Sequence, residues 1–399
     1  MKKIRKIAAF ALALITLFSL SSCKLAMRDT YEDNTKTVTE NKKEDAPELK
    51  IAEKTNTVGL NEEVNDTTDD QETEVVPENT KTVTLAIAGD IKLSEQMIED
   101  ARAQAPEGKD YAFLRMYTGA YRTINNADIA IGSYSAVGKP YGTESDYEPP
   151  TEHLDALAAL GFDILDISGC GSDYRTLEEH ELRGISSAEE GDDAIRTVEA
   201  EGITFAFISA ASNENTAQNY TTDDFIARIE YADLISDYLV VFVRWKDDMT
   251  RVNKCETAKK LANSGADLII GDGETTGAVE VIEKEDGSTA AVAYSLGNLL
   301  SDANEACNLC SEVLTVSFDV ETDEDGNTLF SESQFSVIPM FVHYTLHEDE
   351  SRGDYSIYRV EDYTSDIAAS HPAEVDPIGL KEYIKSTVDT SLLPDAFSN

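Results

Sequence analysis

The chain has 399 residues, of which 41% are hydrophobic, so it is long enough to bury the core of one large domain with appended segments. Its formal net charge of -44 argues against nucleic-acid binding, because phosphate recognition depends on lysine and arginine. The same sign opposes long-range attraction to polyanions and is typical of a solvated, exported surface.

The first 23 residues have the organisation of an export signal. Four basic residues in the first six positions precede an apolar run over residues 7–20, which is shorter than the roughly 20 residues that a spanning helix needs. The run ends at Leu20-Ser21-Ser22-Cys23, which resembles the bacterial lipoprotein signal. That resemblance implies cleavage before Cys23 and lipidation of its thiol, so we predict an anchor on the extracellular face of the cell membrane. The alternative is an ordinary signal peptide with an incidental cysteine.

Residues 24–80 form a second segment, which is rich in Thr, Asn, Asp and Glu and has no sustained apolar period. Such a composition cannot bury enough apolar surface to offset the entropy of ordering the chain, so we predict a disordered acidic linker. A flexible chain of this length has a root-mean-square reach on the order of 40 Å, which would hold the folded part off the membrane.

From residue 81 onwards, short apolar runs alternate with helical stretches, and Gly161, Gly202 and Gly265 follow three of these stretches as stop signals. This alternation predicts an α/β domain over residues 81–345, with parallel strands and helices on both faces. After residue 298 the pattern changes to a β-hairpin, and residues 346–399 are expected to form a C-terminal extension with one helix. The predicted strands span residues 82–88, 127–131, 162–167, 203–209, 238–243, 267–270, 291–295, 313–319 and 335–344, and the predicted helices 112–125, 152–160, 192–201, 225–236, 254–263 and 375–388.

Two of the predicted strands, 267–270 and 291–295, end in polar breaks at Gly271-Asp272-Gly273 and at Leu296-Gly297-Asn298. In open α/β sheets, ligands and catalytic groups collect at the carboxyl ends of parallel strands. We therefore expect these two loops to lie together and to carry the functional site.

Six short motifs follow one another along the domain: Gly89-Asp90, Ala127-Asp128-Ile129, Gly161-Phe162-Asp163, Arg244-Trp245, residues 264–271, and residues 294–298. Their content and order over residues 81–340 resemble the CapA family of capsule-synthesis proteins, which is linked to poly-γ-glutamate. The resemblance implies a layered αββα fold of the calcineurin-like metallophosphoesterase type, with a C-terminal β-hairpin and helix. It also implies a metal site, in which Asp, Asn, Glu and His side chains bind divalent cations that activate water.

Carried over position by position, most of the family's metal ligands are replaced in this chain. Asp90 keeps the first carboxylate, but Ser133-Tyr134-Ser135 stands where the family has Asn-x-Glu. Gly169-Cys170-Gly171 stands in place of Asn-Asn-His, Arg244-Trp245-Lys246 in place of His-Trp-Gly, and Asp272-Gly273-Glu274 in place of a His-rich turn. The degenerate site therefore consists of Asp90, Ser133, Ser135, Gly169, Gly171, Asp173, Arg244, Trp245, Asp272, Glu274 and Asn298.

These replacements argue against metal binding. Ser and Gly supply neither an imidazole nor a carboxylate, and the guanidinium of Arg244 is permanently charged and has no lone pair to donate. We predict that the inherited metal site is lost, that no cofactor is bound, and that Arg244 pairs with Asp90 or Asp272 instead. The alternative is an oxygen-only site for Ca²⁺ or Mg²⁺ formed by Asp90, Asp173, Asp272 and Glu274, although an ordinary acidic loop rim is the simpler interpretation.

Cysteines and histidines outside these motifs give weaker indications. Cys307 and Cys310 have redox or metal spacing, but no second Cys or His pair accompanies them, so a local or surface thiol pair is favoured over zinc. Cys170 and Cys255 can pair if they lie close in space, which the sequence leaves open. The five histidines lie outside the family positions and are interpreted as surface or structural residues.

Three functions are compatible with these observations. We favour a lipid-anchored CapA-like pseudoenzyme that acts in capsule, poly-γ-glutamate or other surface-polymer biosynthesis or attachment, by binding an anionic polymer or polymer-synthesis proteins. The second is a hydrolase or polymer-transfer enzyme that uses the remaining carboxylates. The third is an extracellular ligand-binding lipoprotein unrelated to capsule. Because a fold alone does not fix a function, the choice depends on the site.

Overall fold

A computed structural model of the chain describes residues 81–135, 149–168, 174–186, 194–211, 222–246, 249–323 and 327–397. The predicted signal segment with Cys23, the predicted linker, and Gly169, Gly171 and Asp173 of the predicted site lie outside these residues. None of the helices in the described ranges is both long and apolar enough to span a membrane.

The described residues form helices and strands that alternate along most of the chain. The strands are β1 (Lys81–Ile91), β2 (Ile129–Tyr134), β3 (Ile164–Asp166), β4 (Arg183–Ile185), β5 (Arg196–Ala200), β6 (Ile203–Ala211), β7 (Tyr238–Arg244), β8 (Leu268–Gly271), β9 (Val279–Glu283), β10 (Thr289–Ala293), β11 (Asn298–Leu300), β12 (Cys310–Thr322), β13 (Thr328–Leu346) and β14 (Arg352–Arg359). The α-helices are α1 (Glu95–Ala103), α2 (Tyr121–Asn125), α3 (Glu152–Leu160), α4 (Tyr174–Glu179), α5 (Asp223–Ile235), α6 (Arg251–Asn263), α7 (Ser365–Ala368) and α8 (Pro377–Thr387).

The strands form two sheets. The first has the order β14-β13-β12-β1-β2-β3-β4, with β11 beside the end of β1, and the second has the order β5-β6-β7-β8-β10-β9. The strands from β1 to β4 are parallel, as are β6, β7, β8 and β10, whereas β12, β13 and β14 form an antiparallel extension of the first sheet. Parallel strands place their carboxyl ends at one edge of each sheet.

The side chains of the second sheet alternate between two cores. Phe205 and Val240 pack in the core that includes the first sheet, and the ring of Phe205 lies 5.3 Å from that of Phe318 in β12. Their neighbours Ala206 and Val241 pack instead in a smaller core with α5 and α6. Since α1 and α3 pack against the first sheet, the layers run helix, sheet, sheet, helix. The predicted layered α/β fold is confirmed, and so is the C-terminal hairpin, which β12 and β13 form.

Helix boundaries follow local chemistry. The Thr222 and Thr250 hydroxyls accept hydrogen bonds from backbone N–H groups in the first turns of α5 and α6 and satisfy donors that have no intrahelical partner. Gly161 and Gly265 have φ angles of 112° and 125° and end α3 and α6, as predicted, because glycine adopts positive φ without steric cost.

The predicted helix over residues 192–201 is wrong. Residues 196–200 form β5, which pairs with β6 in an antiparallel register that places Ala200 opposite Ile203. The two residues between them, Glu201 and Gly202, both have positive φ, which is the backbone of a two-residue hairpin turn. Gly202 therefore marks a hairpin rather than a helix end.

Two other stretches also differ from prediction. Residues 112–125 form a 3₁₀ turn at Phe113–Tyr117 followed by the short helix α2, in place of one helix. The region beyond residue 345 contains β14, α7 and α8 rather than a single helix, and β14 extends the first sheet beside β13. The predicted final helix is α8, which begins after the capping carboxylate of Asp376.

Candidate functional site

The carboxyl ends of strands from both sheets bring polar side chains together. In the first sheet, Asp90 of β1 is aligned with Ser133 of β2 and with Asn298 of β11, and Ser133 is aligned with Asp166 of β3. In the second sheet, Arg244 is the last residue of β7. The loop after β8 adds Asp272 and Glu274. Together these side chains form the cluster that we call the strand-end site, which comprises Asp90, Ser133, Asp166, Arg244, Asp272, Glu274 and Asn298.

Arg244 lies among three carboxylates of this site. Its Nη2 donates a hydrogen bond to Ser133 Oγ at 2.6 Å and lies 3.8 Å from Asp90 Oδ1. Its Nε lies 3.8 Å from Asp166 Oδ2, and its Nη1 lies 3.8 Å from Asp272 Oδ2. The Arg244 side chain is only 14% exposed, so these contacts are largely shielded from water. The guanidinium links β7 of the second sheet to β1, β2 and β3 of the first.

Asp272 follows β8 and is held from two sides. Its Oδ1 accepts a hydrogen bond of 2.7 Å from the backbone N–H of Trp245, while its other oxygen faces Arg244. Burial, with the nearby charge of Asp90, raises the pKa of Asp272 to about 6, although Arg244 and the Trp245 N–H favour the charged form. Asp272 therefore gains and loses a proton close to neutral pH.

Trp245 packs beside the end of β8, next to the strand-end site. Its ring is buried, its Nε1 donates to the carbonyl oxygen of Tyr294 at 2.9 Å, and the two rings stack with centroids 6.5 Å apart. A Cβ on Gly271 would lie 2.0 Å from the Trp245 Nε1, so only glycine fits at the end of β8. Trp245 packs the loop and is not available to stack on a ligand.

Asn298 and Glu274 form the other side of the site. The Glu274 carboxylate contacts the Lys92 ammonium at 2.5 Å and accepts a hydrogen bond from Asn298 Nδ2 at 3.3 Å. Burial opposes ionisation of Glu274, but Lys92 and Asn298 outweigh it and lower the pKa of this carboxyl. Within the described part of the chain, the buried oxygens Asn298 Oδ1 and Asp90 Oδ1 have no hydrogen-bond partner.

The strand-end site thus brings together Asp90, Ser133, Arg244 and Asp272, as the motif comparison suggested. Ser135 lies one residue beyond β2, and its backbone N–H donates to Ile91 O at 3.1 Å. Asp166 was missed, because a single acid in an apolar strand gives no indication of which face it occupies.

The histidines lie away from the strand-end site. His153 is buried between the hydroxyls of Tyr117, at 2.7 Å, and Tyr134, at 3.2 Å, and burial lowers its pKa to about 3. His343 and His371 are buried with their rings 5.4 Å apart, and His180 contacts Asp155 at 2.6 Å.

A comparison with protein families matches residues 84–303, more than half of the chain, to the family described as bacterial capsule synthesis protein PGA_cap. The chain belongs to this family. The resemblance inferred from the motifs is confirmed, and a function related to capsule synthesis follows from membership.

Similar solved structures exist for this PGA_cap member, but no curated protein matches it. A novel phosphatase from Mycoplasma pneumoniae is 9% identical, with a TM-score of 0.41 over 65% of this chain and 94% of its own. A hypothetical protein from Thermus thermophilus is 12% identical, with a TM-score of 0.40 over 64% of this chain and 98% of its own. At these values the likeness carries no argument about activity.

The residues of this PGA_cap member do not fit the metal centre that the CapA resemblance implies. The carboxylates of Asp90, Asp166 and Asp272 each have an oxygen within 3.8 Å of the Arg244 guanidinium, which would repel a cation placed among them. The described ranges contain no group of three or more His, Cys, Asp or Glu side chains arranged to hold a metal ion. Loss of the ancestral metal stays a prediction, which metal analysis can test.

Proposed function

We propose that this chain is a lipid-anchored, extracellular PGA_cap protein that acts in the assembly or attachment of a surface polymer of the poly-γ-glutamate type. It would act by binding polymer-synthesis proteins or, against the long-range repulsion from a net charge of -44, the anionic polymer itself, and not by metal-dependent hydrolysis. Family membership supports the link to capsule synthesis. The lipoprotein-like signal ending at Cys23 supports the anchor.

The observation that carries the proposal against metal chemistry is the position of Arg244. A metal-dependent hydrolase needs a cation with an open coordination position, which polarises the substrate or generates hydroxide from water. Here the group that contacts the carboxylates of Asp90, Asp166 and Asp272 is the Arg244 guanidinium, which has no coordination position for a substrate or water. A metal ion placed among these carboxylates would be repelled by the internal cation, which argues against metal-dependent hydrolysis.

The test of this step is metal analysis of protein produced from residue 24 onwards. The protein is incubated with Mn²⁺, Zn²⁺, Mg²⁺ and Ca²⁺, desalted and analysed by mass spectrometry of the elements, and then assayed on phosphoesters and γ-glutamyl peptides. We expect substoichiometric metal and no metal-dependent turnover. One or two tightly bound ions per chain, with turnover that a chelator abolishes, would overturn the proposal.

The anchor and the polymer are tested in cells. A Cys23→Ala variant, with wild type and a Ser22→Ala control, is followed by membrane fractionation and by the amount of cell-bound polymer. We expect Cys23→Ala protein to leave the membrane fraction and cell-bound polymer to fall, with Ser22→Ala unchanged. Membrane retention of Cys23→Ala would refute the lipid anchor, and unchanged polymer in a deletion strain would refute the role in capsule.

A hydrolase or polymer-transfer enzyme is the second candidate, and the observation that favours it is Asp272. A side chain 30% exposed with a pKa near 6 has the properties of a general acid–base group at neutral pH. This candidate predicts metal-independent cleavage of γ-glutamyl bonds, lost in Asp272→Asn and retained in an Asp286→Asn control on the exposed β9–β10 turn.

A further inference from the structure

Cys307 and Cys310 lie away from the ion pairs of the strand-end site, on the connection between two strands. The 3₁₀ turn Ala306–Leu309 connects β11 to β12, and Cys310 is the first residue of β12. A 3₁₀ helix has 3.0 residues per turn and rises about 2.0 Å per residue, so residues i and i+3 lie on one face with Cα atoms about 6 Å apart. That separation lies within the range of about 4.4–6.8 Å that a disulfide requires.

Both cysteines are buried, with 3% exposure for Cys307 and 0% for Cys310. Of the two predicted alternatives, a local or a surface thiol pair, burial excludes the surface one, because the turn packs into the core between β11 and β12. Both are thiols and not a disulfide in the structure, in which the Cys310 S–H donates to Ala306 O at 3.3 Å and the Cys307 S–H donates to Asn308 Oδ1 at the same distance. Among the described residues, no third or fourth His, Cys, Asp or Glu side chain completes a zinc site with the pair.

The residues that follow the 3₁₀ turn contact the backbone next to Asn298. Gly297 pairs with Ser311 across an antiparallel bridge, and the backbone N–H of Glu312 donates to Leu296 O at 2.8 Å. A Cβ on Gly297 would lie 2.5 Å from the carbonyl oxygen of Cys310, so the two chain segments are in close contact. A covalent link across the turn would fix the start of β12 and, through it, the Gly297-Asn298 segment.

We propose that Cys307 and Cys310 form a disulfide in the exported protein, a modification that rests on the extracellular location proposed above. One thiolate attacks a sulfur of a disulfide oxidant, either a small-molecule disulfide or an oxidoreductase, and forms a mixed disulfide. The second thiolate displaces the oxidant's remaining sulfur, so the cysteines lose two protons and two electrons and the oxidant leaves as two thiols. Because both side chains are buried, the exchange takes place before the core closes around the turn.

The test is oxidative refolding of protein produced from residue 24 onwards. The reduced, unfolded chain is refolded with oxidised and reduced glutathione, quenched with acid, alkylated in denaturant and digested after glutamate. Cleavage after Glu305 and Glu312 isolates both cysteines in one peptide of residues 306–312. We expect this peptide to be unalkylated and lighter than the dithiol by two hydrogens. A peptide with both cysteines alkylated, or a link from either cysteine to Cys255, would overturn the pairing.

Single substitutions test whether the cysteines stabilise the protein through a disulfide or only through the packing of their side chains. We expect dithiothreitol to lower the thermal midpoint of refolded wild type and of the Cys255→Ser control, and to leave Cys307→Ser and Cys310→Ser unchanged. Equal sensitivity of all four proteins would contradict a stabilising bond between Cys307 and Cys310. Alkylation in intact cells separates this proposal from the proposed function. Absence of the disulfide from cellular protein that an externally added protease can digest would overturn the proposal, whereas absence from protein that is protected inside the cell would refute the extracellular location instead.

Discussion

Replacing Arg244 by alanine removes a cation that contacts Asp90, Asp166 and Asp272 together. Each carboxylate has an oxygen 3.8 Å from a guanidinium nitrogen, and the side chains of Asp90 and Asp166 are only 7% and 2% exposed. Removing one partner of a buried ion pair typically costs about 3–5 kcal/mol, because the other charge is left without compensation. We expect the Arg244→Ala variant to lose about 3–5 kcal/mol of unfolding free energy at pH 7.5.

The loss should shrink on acidification. The pKa of Asp272 is already raised to about 6 in the folded protein, and Arg244 is the nearby charge that most favours its ionised form. Without Arg244 the pKa of Asp272 rises further. The folded variant therefore binds a proton at pH values at which Asp272 of the unfolded chain, with its ordinary pKa of 3.8, is ionised. Stability of the variant relative to wild type should therefore increase as the pH falls from about 8 to about 5.

Urea unfolding at several pH values measures the effect, with the exposed Arg122 of α2 as a matched control. Arg122→Ala should change stability by no more than about 0.5 kcal/mol, as expected for a surface position. A loss below about 1 kcal/mol, or a loss independent of pH, would refute the assigned role of Arg244.

Three further predictions concern buried groups. Burial raises the pKa of Glu312 well above its ordinary value of 4.5, so wild type loses stability as the pH rises above 4.5. Glu312→Gln should therefore be more stable than wild type in urea unfolding, and the difference should grow by up to about 1.4 kcal/mol per pH unit. Because burial lowers the pKa of His153 to about 3, wild type should lose stability as the pH falls from 6.5, and His153→Gln should lack this slope in the same assay. Gly271→Ala should displace the Trp245 indole, which the fluorescence maximum of the only tryptophan would report as a red shift.

Much of the site was predictable, because strand ends can be read from apolar runs and the breaks that follow them. Asp90 and Asp272 each follow such a run, and parallel topology places each at the carboxyl edge of its own sheet, so the packing of the two sheets is needed to bring them together. A pairing of Arg244 with Asp90 or Asp272 was inferred from aligned motifs and from the chemistry of a guanidinium, and the structure has both contacts. Asp166 needed the register between β2 and β3, which no single strand reveals.

The errors in the fold have local causes. A glycine after a polar stretch, such as Gly202, indicates a helix end or a hairpin turn equally well. The hairpin turn also requires a positive φ at Glu201, which is unusual for glutamate and could not be expected from the sequence. Arg352–Arg359 alternates buried and partly exposed residues, but charged and polar side chains obscure the period of β14. Burial of Cys307 and Cys310 depends on how β11 and β12 pack, which the spacing of two cysteines does not encode.

Arg244 also joins the two sheets at their strand ends. The guanidinium extends from β7 of the second sheet and contacts Asp90, Ser133 and Asp166 of the first, while Asp272 faces it from its own sheet. A metal ion in this position would hold carboxylates from both sheets and keep a coordination position for substrate. A guanidinium can replace the first role but not the second, because it has no vacant coordination position for a substrate or water oxygen. We therefore expect Arg244 to hold the two sheets together at the strand-end site without supporting metal-dependent turnover, which the metal analysis tests.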